Sequence, residues 1–123
     1  MKKLIIIILL LIPLIGLSQT FKEVQEMPKA SKVKVDDDGD YYFDVDKEES
    51  VFYFARYFFR DTNPDSETFL YLLFFKKKDT AEIIQILNEL HINVGELQWI
   101  DTRATIRIDL IPDRFHYLII ERI

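Results

Sequence analysis

Between residues 33 and 45 the apolar positions alternate: Val33 and Val35 flank Lys34, and Tyr41, Phe43 and Val45 flank Tyr42 and Asp44. An extended chain sends successive side chains to opposite faces, so each run presents one apolar face. Asp38-Gly39 between them is a dipeptide that closes tight turns, and a hairpin is predicted with its tip there.

Residues 51–60 (VFYFARYFFR) fit two periods. As a helix, Asp46 and Glu49 form a capping box. Glu49, Tyr53, Arg56 and Arg60 then make a polar stripe opposite Val51, Phe54, Ala55 and Phe58. The aromatic richness suits a pleated surface better. The turn residues at 61–66 lead into a second aromatic run, so a strand is expected, paired in a long hairpin with residues 68–75. That second run (TFLYLLFF) is almost wholly apolar, which predicts a strand buried on both faces or central in its sheet. Lys76, Lys77 and Lys78 end it; flanking lysines guard an unavoidable hydrophobic strand against aggregation, and an anion-binding patch is their functional alternative.

The pattern then becomes helical. Asp79 and Glu82 form a capping box. Ile83, Ile84, Leu87 and Leu90 share one face, and His91, Asn93 and Gly95 supply the closing signals of a helix over about 79–92. Further strands are expected over 97–100, over 104–110, where Ala104, Ile106, Ile108 and Leu110 alternate with polar residues, and over 115–123 after the Pro112-Asp113 turn. The predicted fold is α+β: an antiparallel sheet of about five to six strands with one main helix packed on one face.

The N-terminus changes the picture. Lys2 and Lys3 precede an unbroken apolar run from Leu4 to Leu17, the form of an export signal and too short for an ordinary membrane-spanning helix. Gly16 and Ser18 provide the small-x-small pattern of a cleavage site, and scission between Ser18 and Gln19 is expected. The organisation read from this is a signal peptide at 1–18, a flexible tether at 19–32, where Pro28 interrupts a polar stretch, and one domain at 33–123. The expected location is periplasmic or secreted, with an inner-membrane anchor by an uncleaved signal as the alternative. No stable membrane insertion is expected after cleavage.

Composition narrows the chemistry. There is no cysteine, which removes lipidation, disulfides and thiol chemistry. Without Lys2 and Lys3 the chain carries 14 cations against 21 acids, so it repels phosphate backbones and nucleic acid is excluded as a partner. No cofactor is expected: beyond the leader only Gly39 and Gly95 remain, and neither sits in a phosphate-binding loop. Asp36, Asp38 and Asp40 are a candidate calcium cluster that fails the EF-hand spacing, with a solvated turn as the plainer reading. His91 and His116 suit structural positions, and no serine lies in a nucleophile elbow. Catalytic residues are not identified, and the balance leans away from an enzyme.

The surplus of aromatics, 10 Phe and 6 Tyr, is the remaining signal. One helix covers one face of a sheet, so the other face is expected to present Tyr53, Tyr57 and Tyr71 to a protein or glycan partner in the cell envelope, or to self-association. The function expected is that of an exported, non-catalytic bacterial interaction domain. The alternatives are an envelope hydrolase using carboxylates and His116, or an inhibitor or immunity-type protein acting through the acidic loop at 36–40.

Overall fold

The computed structural model describes residues 17–47 and 51–123, so the greater part of the expected signal peptide lies outside the described residues. Its elements, in chain order, are α1 (Phe21–Gln25), β1 (Lys34–Val35), β2 (Tyr41–Asp46), β3 (Phe52–Phe59), β4 (Leu70–Phe75), a 3-10 turn (Lys77–Asp79), α2 (Thr80–Leu90), β5 (Ile92–Gly95), β6 (Gln98–Ile100), β7 (Ile106–Pro112) and β8 (His116–Arg122). The α+β class and the single main helix are as expected. The sheet has eight strands, not five to six, in the order β1-β2-β3-β4-β8-β7-β6-β5, with every neighbouring pair antiparallel. Two four-stranded meanders thus meet at β4 and β8, and α2 carries the chain from the centre of the sheet to its far edge.

Residues 51–60 do form a strand, and β3 pairs with β4 from Phe52↔Phe75 to Phe58↔Leu70. β4 is central, as its apolar run predicts. Only Tyr71, Leu73 and Phe75 are buried, while Leu70, Leu72 and Phe74 on its other face are partly exposed. The sheet is therefore dry on one side alone.

Helices α1 and α2 pack on that dry side. Ile83, Ile86 and Leu87 of α2 join Phe43, Ala55, Phe59, Phe75, Trp99, Ile108, Leu118 and Ile120 in one core. Trp99 Nε1 donates to Asn88 Oδ1 at 2.8 Å, satisfying the indole as it is buried. At the helix start Asp79 makes no side-chain cap bond, so the expected capping box is not formed; the 3-10 turn leads straight into the first turn instead. At its end the helix stops at Leu90, because His91 is already extended (φ −130°, ψ 168°) and opens β5. Asn93 is spent inside the β5–β6 hairpin, where its Nδ2 donates to the carbonyls of Gly95 and Gln98. Asn93 and Gly95, terminators in the helical reading, are edge-strand residues, which is why β5 was not foreseen.

The expected tether is likewise part of the fold. Thr20 caps α1 in a reciprocal box, Oγ1 accepting from Glu23 N and Glu23 Oε1 accepting from Thr20 N. Phe21 then meets Phe43 and Phe59 edge-on, with centroids 4.9 and 5.3 Å away. Gln19 O accepts from both Thr68 N and Thr68 Oγ1, and Phe21 N donates to Ser66 O. A five-residue helix shows too few periods to be read, and its anchor depends on a loop some 45 positions later in the chain.

Candidate functional site: the open face of the sheet

Antiparallel pairing sets side chains from six strands in rows across the face opposite the helices. One row runs Tyr42, Phe58, Leu70, Glu121, Arg107, Ile100; the next Asp44, Arg56, Leu72, Ile119, Asp109, Gln98; the third Asp46, Phe54, Phe74, Tyr117, Ile111. At the centre, Phe54, Phe58, Leu70, Leu72, Phe74, Ile111, Tyr117 and Ile119 form a continuous apolar field of partly exposed side chains. Ring contacts tie it together: Phe54 to Phe74 at 5.3 Å and Phe74 to Tyr117 at 5.1 Å.

Charged clusters flank this field on both sides. Toward β2, Asp44 accepts from Arg56 Nε at 2.6 Å and from Lys34 Nζ at 3.0 Å, and the Arg56 guanidinium lies 4.6 Å from the Tyr42 ring centre. Burial works to raise the Asp44 carboxyl, but hydrogen bonds and charge from Arg56 and Lys34 outweigh it and hold the group below the usual carboxylate range. Toward β7, Arg107 pairs with Glu121 and lies 3.5 Å from Asp109, which also accepts from Gln98 Nε2 at 2.7 Å. The centre is apolar and the flanks are charged, the layout of a contact surface.

Two of the three tyrosines expected on this face, Tyr57 and Tyr71, are on the other. Tyr57 and Tyr71 are 3% and 4% exposed on the covered face, stacked at 5.7 Å, with Lys47 Nζ donating to the Tyr57 hydroxyl. Burial, with Tyr57 adding to it, drives the Tyr71 hydroxyl far above its ordinary pKa, so it stays protonated. Tyr53 sits at the β-bulge between Phe52 and Phe54, partly exposed at one end of the sheet. A strand's faces swap with a shift of one residue, and the expected set belonged to the wrong phase. Arg56 carried the missing signal: the one charge inside the aromatic run must reach solvent or a partner, which sends Phe54 and Phe58 outward with it and Ala55, Tyr57 and Phe59 inward.

The acidic turn is built for its own geometry. Asp36 Oδ1 accepts from the backbone amides of Asp38 and Asp40, both at 2.9 Å, and Gly39 takes the φ of 84° that closes the loop. Asp40 lies 3.8 Å from Arg60. Among the described residues no three His, Cys, Asp or Glu side chains gather as a metal site.

At the sheet end that holds Tyr53, an open hollow of about 620 Å³ brings Lys76, Lys77 and Arg114 beside Phe115 and His116. His116 Nδ1 is hydrogen-bonded to Thr80 Oγ1 at 3.0 Å, and Asp113 is the single carboxylate lining the hollow. Two of the three lysines, Lys76 and Lys77, are therefore drawn into a cationic basin, with one acid where a glycoside-cleaving pair needs two. Ser18 and Gln19, at the expected cleavage point, follow Leu17, which is 0% exposed. Among the described residues no helix is long and apolar enough to cross a membrane.

No protein-family model, no curated protein and no solved structure matches this chain.

Proposed function

We propose that this chain is an exported, non-catalytic interaction module of the cell envelope, and that its working surface is the open face of the sheet. The observation that carries the reading is the apolar field at the centre of that face. Monomeric proteins keep contiguous apolar patches small, and burying such a field removes area worth about 25 cal/mol per Å². The ion pairs around it, Arg56–Asp44 and Arg107–Glu121, give the rim orientation and specificity.

Carbene footprinting of the protein inside the cells that make it, compared with the purified protein at high dilution, tests this reading. Protection in the cell is expected at Phe54, Leu72, Phe74, Tyr117 and Ile119. Equal labelling of these residues in both settings would overturn it.

A further inference from the structure

We propose that the open face closes on the same face of a second copy, about a twofold axis parallel to the strands and midway between β4 and β8. This deepens the interaction reading above and rests on it.

The register across the sheet singles out that axis. A face-to-face pair has two simple twofold choices in the plane between the sheets. An axis across the strands lays each strand on its own copy, so Arg56 meets Arg56, Asp44 meets Asp44 and Asp109 meets Asp109. Like charges in a desolvated contact oppose that arrangement. An axis along the strands keeps the rows and exchanges the two meanders, placing β3 over β7 and β4 over β8 of the other copy.

The middle and third rows are complementary under this second operation. In the middle row Leu72 meets Ile119, and Arg56 meets Asp109, while Asp44 meets Gln98. In the third row Phe74 meets Tyr117 and Phe54 meets Ile111. In the first row, at the end of the contact, Tyr42 meets Ile100, Arg107 lies over the ring of Phe58, a favourable place for a guanidinium, and Glu121 faces Leu70 while keeping its pair with Arg107. Each pairing occurs twice in the isologous contact, so one charge match counts double.

Size is compatible as well. Six strands about 4.8 Å apart and three rows about 7 Å apart cover roughly 600 Å² in projection, near the ~800 Å² per partner of a standard interface. Sheets packed in this way cross at about 30°, which moves the corners and leaves the central pairs in register.

Sedimentation velocity on the full chain, over a concentration range reaching several hundred micromolar, tests the proposal. The wild-type chain is expected to pass from the mass of one chain to that of two. Arg56→Asp and Asp109→Arg are each expected to weaken self-association at least tenfold, since each sets like charges against each other twice. An equimolar mixture of the two variants restores the pair, because the carboxylate introduced at position 56 of one copy then faces the guanidinium introduced at position 109 of the other. The mixing arm compares two folded single variants, so a loss of folding, checked by circular dichroism, cannot pass for a loss of contact. A wild-type chain that stays monomeric throughout, or a mixture no tighter than either variant alone, would overturn the proposal. Protection of the face in cells by a chain that is monomeric when pure assigns the face to another occupant: the second copy is then rejected and the interaction reading stands. Neither protection nor self-association rejects both.

Discussion

Trp99 is 1% exposed, and its one polar atom is satisfied by Asn88 from the last turns of α2. Replacing Asn88 with Ala leaves a buried N–H without its acceptor, which costs about 1–3 kcal/mol. Trp99 is the sole tryptophan, so its emission in a urea titration reads the loss directly as a lower midpoint. Asp44 gives a pH prediction. Its folded pKa lies below the ordinary 3.8, so the unfolded chain binds the proton more tightly, and the carboxylate stabilises the fold at all pH values above that ordinary pKa. The contribution is lost as pH falls from about 4 through the lower folded value. Asp101, lowered by the Thr105 hydroxyl and the amides of Ile106 and Thr105 against the opposing effect of burial, is lost in the same window. Asp44→Asn should thus be less stable than wild type at pH 6, with the gap shrinking toward pH 3, as denaturant midpoints measured at both ends will show. A gap independent of pH would mean that shape, not charge, is what Asp44 supplies.

Among elements, α1 holds the clearest test of what binds the N-terminal segment to the sheet. Phe21 packs edge-on against both Phe43 and Phe59, and truncation to Ala removes two edge-to-face contacts and leaves a cavity, a loss of about 3–5 kcal/mol by the usual cost of such changes. Chemical denaturation of Phe21→Ala checks the size; a loss under about 1 kcal/mol would show the segment to be only loosely docked. This element also marks where the sequence stops being legible. Strands β2, β7 and β8 and helix α2 announce themselves because each buries one face and repeats its own period several times. Helix α1 is too short to repeat, and its partners lie in β2, β3 and the loop before β4. Strand β5 was hidden because Asn93 and Gly95 serve a hairpin as well as they serve a helix end. The open face was foreseeable as a surplus of aromatics over what one helix covers, yet its members were not. In a run as uniformly apolar as residues 70–75 nothing local sets the phase, which comes from pairing: Tyr71 faces Tyr57 and Leu72 faces Arg56.

For the whole molecule, the core and the export signal expected from the sequence make competing claims on one residue. Leu17 is fully buried, and its carbonyl accepts from Arg122 Nη2 at 3.2 Å, joining the start of the described chain to the last strand. Scission between Ser18 and Gln19 takes both interactions away. Deleting a buried leucine side chain costs about 2–5 kcal/mol, a large part of the roughly 5–15 kcal/mol that holds a domain of this size. Arg122 is less affected, because Nη2 also reaches Glu67 at 3.0 Å. A chain beginning at Gln19 is therefore expected to unfold at a clearly lower denaturant concentration than one beginning at Leu17, with little change in the slope of the transition, since the surface exposed on unfolding is nearly the same. If the two midpoints agree within about 0.5 kcal/mol of stability, the pocket left by Leu17 closes without cost and the fold tolerates cleavage at that bond. If they differ as expected, a processed protein must either retain Leu17 or recover the loss elsewhere. Association across the open face is one way to recover it, because a partner that binds only the folded chain adds its binding free energy to folding. On that account the midpoint of the Gln19 chain should climb with protein concentration while that of its Leu72→Lys variant stays fixed.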